Sequence, residues 1–403
     1  MAALKFQKLD THSPTFRTLL GVHVVMLALG LGAFFYMESH GHIVSGMNNQ
    51  IVWGTPHVFA VFLIVAASGA LNVASVSSVF NRLAYKPYAR LSGILAVSLL
   101  IGGLAVLVLD LGRPERLVVA MTTYNFKSIF AWNIYLYTGF VVIVAAYLFS
   151  MMDRGAIRNP AINKAMGWLA FVWRLALTTG TGSIFGFLIA RDAYSGAIMA
   201  PLFISASFLY GLAFTVLVLL TVSWETRDDL MPDHMVEAFT GLAIIFTLAV
   251  LYFTVIQHLT KLYATGFHGI ESFILRDGGV YTFLFWVGQI VVGLLAPLAV
   301  LIIGRRMKGP YCWRTLIVAS VLFLIGGLAQ MYVLIIGGQA YPLKLFPGKD
   351  VSSTFFDGVV ASYTPSLPEI LLGASGVSLA MVIAALAMRL MPFLPHGAAK
   401  ADA

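Results

Sequence analysis

The chain has 403 residues, of which 60% are hydrophobic and only 10% are charged, and its formal net charge is +8. Soluble domains carry roughly 25% charged residues, so this composition excludes a soluble globular fold and indicates a polytopic membrane protein. The basic residues lie in short segments between apolar runs, which favours membrane topology over nucleic-acid binding as the reason for the positive charge. The single cysteine, Cys312, excludes an internal disulfide and cysteine-ligated iron–sulfur clusters, which need about four thiolates each.

Ten apolar runs are long enough to cross a bilayer, which takes roughly 20 residues. We therefore predict an all-α integral membrane protein that forms a single domain over residues 1–403. Lys and Arg are about twice as frequent in the segments on the side of both termini as on the other side, which predicts both termini in the cytoplasm. The predicted spans cover residues 18–37, 52–80, 90–109, 128–152, 165–190, 201–224, 236–257, 280–304, 315–337 and 367–391.

The second span carries two polar candidates. His57 follows Pro56, which suits the first turn of a helix, and is predicted at the outer interface. An imidazole there can exchange protons near neutral pH, or it can be an interfacial side chain without a chemical role. Asn72 lies deeper, where an amide either packs against another helix or faces a polar path.

The third span ends in a cluster of charges. Residues 91–109 are uncharged, and Asp110 and Arg113 then follow within one turn. A carboxylate at the end of a span is costly to bury and needs a partner. We expect Arg113 to be that partner, and we interpret the pair as the rim of a site at the outer membrane surface.

Aromatic and polar residues alternate between the third and fourth spans, from Tyr124 to Asn133. Such a segment is typical of an aromatic belt at the membrane interface. The alternative is a pocket in which apolar walls hold a quinone ring and a few donors meet its carbonyls, although composition alone favours the belt.

The fifth span contains Arg174, which either snorkels to the inner face or pairs inside the bundle. Arg191 and Asp192 follow its end and either anchor a loop or close the outer site. Before the last span, the Pro and Glu residues up to Glu369 suit the start of a helix.

Haem ligation needs two imidazoles at similar depth. Only His57 and His258 are predicted on the same side near span ends, whereas His23 lies toward the inner side and His40, His42 and His268 fall in loops. We therefore expect no haem. The sequence contains no phosphate-binding loop, zinc spacing or nucleophile motif, so no resident metal is expected.

The chain resembles the polysulfide reductase membrane subunit family (NrfD/PsrC). The resemblance rests on four motifs over nearly the whole chain: residues 109–116, Trp53-Gly54, the series Asn125, Ser128 and Trp132, and Tyr363-x-Pro-Ser-x-x-Glu369. The ten spans and the loop that begins at Asn81 are similar to the branch that includes HybB and DsrP.

The resemblance implies two four-helix bundles, flanked by the first and last spans, in the cytoplasmic membrane of a bacterium. It implies a subunit of an oxidoreductase complex that has no haem or cluster of its own. Such a subunit binds menaquinone or ubiquinone as substrate near the outer face and exchanges electrons with a periplasmic iron–sulfur protein, here a DsrO-like ferredoxin subunit of a DsrMKJOP-like complex of sulfur metabolism. The implied quinone pocket holds His57, Asp110, Arg113 and Tyr124, with His57 and Asp110 as the catalytic groups. An implied proton path uses Asn72, Arg174 and Asp192.

Two other classes stay open. Transporters place paired charges at the membrane midplane within repeats, whereas here the main charge cluster is at a surface and Arg174 is the one midplane charge. A non-catalytic anchor that tethers a redox complex is the third interpretation.

Overall fold

The computed structural model describes residues 5–10, 13–152, 160–306, 311–343 and 358–396. Part of the predicted outer loop 339–365 lies outside these ranges. The same holds for six of the basic residues on which the predicted orientation depends: Arg154, Arg158, Lys308, Lys344, Lys349 and Lys400.

The described chain is built from α-helices with one small strand pair. The α-helices are α1 Pro14–His40, α2 Thr55–Ala70, α3 Asn72–Ser78, α4 Ala89–Leu109, α5 Leu117–Thr122, α6 Ile129–Met152, α7 Pro160–Phe187, α8 Met199–Thr226, α9 Asp233–Tyr263, α10 His268–Ser272, α11 Val280–Phe283, α12 Ala296–Arg306, α13 Tyr311–Tyr332, α14 Gly338–Ala340 and α15 Leu367–Leu390. Three π-helical segments span Phe273–Asp277, Leu284–Leu295 and Val333–Gly337. Short 3₁₀ turns span His42–Val44, Leu83–Tyr88, Pro114–Arg116 and Thr265–Phe267. The strands are β1 Lys5–Gln7 and β2 Leu394–His396.

Nine helices of the described chain are long and apolar enough to cross a membrane. They match nine of the predicted spans, and they confirm an all-α integral membrane fold. The predicted fifth span is the 28-residue helix α7, which is not among the nine. Its difference is compositional, because Arg174 and a run of Thr, Gly and Ser residues lower its hydropathy.

Helix α2 lies at the centre of the bundle. Of the most apolar stretch of Thr55–Ser78, which comprises α2 and α3, 89% is buried, against 11% for α1, which faces outward. Helix α8 packs closely on α2 at Gly69 and Gly211, where an added Cβ on either glycine would overlap main-chain atoms of the other helix. Small residues permit this close approach, which is the usual basis of helix packing in membranes.

The remaining helices pack around this pair. Helices α2, α3, α4, α6 and α7 are neighbours, as are α8, α9, α12 and α13, and α1 packs on α15, which in turn covers α4 and α2. Strands β1 and β2 pair antiparallel, with Phe6 opposite Pro395, so the two ends of the described chain meet at one end of the bundle. Residues 41–54 follow α1, which starts at that end, and residues 110–116 follow α4, which starts after the turn Leu83–Tyr88 that contacts β2. Both segments therefore lie at the opposite end.

Candidate functional site

A histidine and an aspartate meet at this opposite end, which we call the dyad end. His57 lies in the first turn of α2, and Asp110 follows the last residue of α4. Because α2 and α4 pack side by side, His57 Nδ1–H donates to Asp110 Oδ2 across 2.7 Å. The Asp110 side chain is 0% exposed and that of His57 is 14% exposed. The pair therefore solves the burial problem that the sequence poses for Asp110.

The expectation that Arg113 is the partner of Asp110 is wrong. Arg113 is exposed, and in the ranges the structure describes its side chain makes no hydrogen bond or ion pair with Asp110. Helix α4 ends at Leu109, and Gly112 then adopts a φ of +22°, so the chain turns before Arg113. A three-residue spacing brings side chains together only while the helix continues.

One carboxylate oxygen of Asp110 has no hydrogen-bond partner among the described residues. Its Oδ1 atom is buried and accepts no hydrogen bond from any residue in the described ranges. Asp110 lines a cavity of about 380 Å³, and Gly112 and the segment after α1 complete its wall. Buried carboxylate oxygens are normally satisfied, so an unmatched one in a residue that lines a cavity favours a donor from outside the chain.

His42 is a site residue that the sequence interpretation missed. It lines the same cavity, and its ring lies against Gly112, where an added Cβ would come within 3.3 Å of the imidazole Nε2. Its buried Nδ1 has no hydrogen-bond partner in the described part of the chain. No sequence signal distinguishes it from the neighbouring His40, because its position depends on how the loop after α1 folds back over Gly112.

The rest of the cavity wall is mostly apolar. It is formed by Ile43, Met47, Asn48 and Val52, and the Ile43 side chain is 89% exposed. A mostly apolar wall with a few polar residues is typical of a pocket for a small molecule.

A group of aromatic rings contacts the His57 side of the dyad. The Trp53 ring lies 6.0 Å from that of His57 and also contacts Phe130, Phe185 and Tyr194. Tyr124 belongs to another group, with its ring 4.6 Å from Phe126 and 5.3 Å from Tyr135. Its described contacts do not include the dyad, so its place in the pocket stays a prediction from its position and chemistry.

Glu369 fixes the loop that covers the cavity. Its buried carboxylate accepts hydrogen bonds from the Gly46 N–H at 2.7 Å, the Ser366 N–H at 2.8 Å and the Tyr363 hydroxyl at 2.7 Å. Tyr363 in turn accepts from the Thr55 N–H at the start of α2. Burial raises the pKa of Tyr363, so its phenol keeps the proton that it donates. Glu369 therefore starts α15, as its sequence predicts, and also clamps the loop.

A second clamp holds the other end of the loop. Gln339 Oε1 accepts from the N–H groups of Val52 and Trp53. Arg191 donates to the carbonyl oxygens of Gln339 at 2.6 Å and Gln50 at 2.7 Å. Burial lowers the pKa of Arg191, with the nearby Tyr194 acting in the opposite direction. Of the two roles the sequence allows for Arg191, the structure favours the loop anchor.

The structure brings together two of the three residues expected on a proton path. Arg174 is 1% exposed and its Nη2 donates to Asn72 Oδ1 across 2.7 Å, while its Nε and Nη1 have no partner in the described ranges. Asp192 lies apart from them, because its main-chain carbonyl accepts from Lys261 at the dyad end.

Across the ranges the structure describes, no group of three or more His, Cys, Asp and Glu residues is arranged to hold a metal ion. The expected absence of haem and other metal cofactors stays a prediction.

Comparison with known proteins places this arrangement in context. Residues 43–342 match the model of the family described as polysulphide reductase, NrfD. The chain is 27% identical over 402 residues to the Hdr-like menaquinol oxidoreductase integral membrane subunit of Archaeoglobus fulgidus, with 98% of each chain covered. It is 25% identical to a putative dimethyl sulfoxide reductase membrane subunit of Halobacterium salinarum, covering 93% of this chain and 90% of the relative. It is 21% identical to a selenate reductase subunit of Mesobacillus selenatarsenatis, covering 90% and 91%.

Proposed function

Since the chain belongs to the polysulphide reductase NrfD family, we propose that it is the quinone-interacting membrane subunit of a sulfur-metabolism redox complex. The observation that carries the proposal is the unmatched Oδ1 of Asp110, a residue that pairs with His57 and lines the cavity. A volume of about 380 Å³ lies within the usual range for small-molecule pockets and accommodates a quinone ring.

The dyad supplies proton transfer. Oxidation of a quinol releases two electrons and two protons. Asp110 Oδ1 accepts a hydrogen bond, and then the proton, from a quinol hydroxyl within reach. His57 holds Asp110 in place through Oδ2 and takes part in passing the proton on. His42, on the same wall, is positioned for the second quinone oxygen. Arg113 and Tyr124 stay proposed members of the pocket.

The electrons pass to or from a partner, which we propose is a DsrO-like periplasmic iron–sulfur subunit docked at the dyad end. The names of the relatives support a complex, because these proteins are subunits of a menaquinol oxidoreductase, a dimethyl sulfoxide reductase and a selenate reductase. We assign menaquinone or ubiquinone as the substrate and a DsrMKJOP-like assembly in the bacterial cytoplasmic membrane as the setting.

The proposed topology has ten crossings with both termini in the cytoplasm. The paired strands β1 and β2 require an even number of crossings between them, and the nine apolar helices become ten when α7 also crosses. The excess of Lys and Arg in the segments on the side of the termini supports this orientation and makes the dyad end periplasmic.

Ion conduction is the second candidate function. Its support is Arg174, which is buried in a helix with two nitrogens unmatched among the described residues and contacts Asn72. Intramembrane charges of this kind often mark ion paths. Proton passage along Asn72 and Arg174, with Asp192 as a separate outer group, would accompany quinone exchange rather than replace it.

The test is quenching of a fluorescent quinone analogue by the purified chain in lipid nanodiscs. Asp110→Asn keeps the shape of the side chain but removes the charge that receives the proton, so its affinity should fall at least about tenfold, the effect of one hydrogen bond to a charged group. Asp277→Asn is the matched control, because Asp277 is exposed and paired with Arg276. Equal affinity in the two variants would contradict the proposed site.

A further inference from the structure

A second buried histidine–carboxylate pair lies in the other half of the bundle. His258 on α9 donates from Nδ1–H to Glu271 Oε2 on α10 across 2.6 Å, and the two side chains are 16% and 3% exposed. Helix α9 begins beside the loop that holds Gln7 through Asp228, so its far end lies at the dyad end. The pair repeats the chemistry of His57 and Asp110 on different helices.

The two residues line a cavity of their own. Its volume is about 50 Å³, and three buried amides, Gln257, Gln289 and Gln330, also face it. A water molecule needs roughly 10–15 Å³ of such space, so the cavity has room for a few waters and is far too small for a quinone ring. The amide groups supply the polar partners that such waters need.

The helices around this cavity are irregular. Each of the three π-helical segments contributes a residue to its wall: Ile274, Gln289 and Val333. A π-helical turn is rare and occurs frequently at functional sites, because the extra residue redirects a side chain. Here the irregular segment Leu284–Leu295 carries the amide of Gln289 at the cavity.

A buried lysine lies beside the cluster. Lys261 is 5% exposed, and its ammonium donates to the carbonyl oxygens of Asp192 at 2.7 Å, Tyr194 at 2.8 Å and Ala193. An ammonium has three N–H donors, so all of them are used by the main chain. The main chain therefore holds the Lys261 ammonium in position within electrostatic reach of Glu271, and Glu271 accepts its hydrogen bond from His258.

We propose that the His258–Glu271 pair is a proton-exchange site, loaded through water in this cavity. The charges of Lys261 and Glu271 balance when His258 is neutral. A proton from a cavity water then binds the Nε2 lone pair of His258, while Nδ1–H stays bonded to Glu271, and the proton leaves to water by the reverse step. The proposal does not depend on quinone binding at Asp110.

Other titratable groups near Glu271 have different partners. His268, on the same helix, is exposed and hydrogen-bonded to the Leu262 carbonyl. Arg276 and Asp277, on the next segment, pair with each other. The main-chain carbonyl of Asp192 accepts from Lys261. His258 is therefore the group that couples directly to Glu271.

The test is infrared difference spectroscopy of the full chain in nanodiscs between about pH 5 and pH 8, the range in which histidine changes charge. A shared proton predicts imidazole and carboxylate bands that disappear together in either His258→Gln or Glu271→Gln. Glu271→Asp should retain them, and His268→Gln should remove only its own imidazole band. Thermal unfolding at the wild-type temperature shows that a variant is folded. If, in folded variants, each substitution removes only its own band, or if neither substitution changes the spectrum, the pair is structural and the proposal is overturned.

Discussion

The Glu369 clamp permits a quantitative prediction. Glu369→Gln keeps the size of the side chain but removes its charge from three hydrogen bonds, those with Gly46, Ser366 and Tyr363. A hydrogen bond to a charged group contributes about 1.5–3 kcal/mol and a neutral one about 0.5–1.5, so each loses roughly 1 kcal/mol. The three bonds together lose about 3 kcal/mol. The new amide N–H₂ does not offset this loss, because it faces a tyrosine that already accepts from Thr55.

This loss should appear in hydrogen exchange. Local opening of the loop over the cavity becomes easier by about 3 kcal/mol, so the protected amides of residues 46–55 should exchange about a hundred times faster. Mass spectrometry of the protein in nanodiscs measures this exchange. Glu115→Gln, at an exposed position, is the control and should leave the rates unchanged. Exchange in the Glu369 variant within about threefold of wild type would refute the clamp.

Three further predictions concern packing, the buried arginine and the rim. Gly211→Ala should lower the free energy of unfolding by about 1–3 kcal/mol, because its Cβ overlaps the Ala70 nitrogen. Gly241→Ala is the control and should leave it unchanged, because its Cβ would meet no atom of another helix within 4 Å. Thermal unfolding measures both. Asn72→Leu removes the hydrogen-bond acceptor of Arg174 and should cost about 2–3 kcal/mol in the same assay; an unchanged midpoint would mean that Arg174 finds another acceptor. Arg113→Gln should weaken binding of the quinone analogue less than Asp110→Asn does, because Arg113 is exposed; an equal loss would restore a direct role for Arg113.

The long apolar runs make the helices predictable from sequence. Their ends agree with the predicted spans to within a few residues for most helices, because Pro and Gly mark many of them, as at Pro56 in the first turn of α2. The break at Leu71 between α2 and α3 and the three π-helical segments are not predictable in this way. They interrupt apolar runs without any change in composition that would indicate them.

The candidate site is predictable in its members but not in its pairing. His57 and Asp110 stand out in the sequence because each is costly at the end of a span. Their contact joins residues 53 apart, and it depends on the packing of α2 against α4. Sequence spacing favours Arg113 because a local partner is the only kind that spacing can reveal.

Long-range contacts also explain the remaining differences. The resemblance implies a proton path through Asn72, Arg174 and Asp192, whereas the structure places the Asp192 carbonyl on Lys261 of α9. His258 stands out in the sequence only as a possible haem ligand, and its partner Glu271 lies beyond a loop on another helix. Neither contact follows from the periodicity of a single helix.

Photolabelling with an azido-quinone tests the central claim most directly. If the cavity beside Asp110 binds quinone, mass spectrometry will find the adducts on residues 42–57 and 110–117, and excess unlabelled quinone will remove them. Asp110→Asn should reduce this labelling, whereas Asp277→Asn should not. Adducts confined to the lipid-facing surfaces of α1, α6 or α9, or labelling that unlabelled quinone does not displace, would contradict the account.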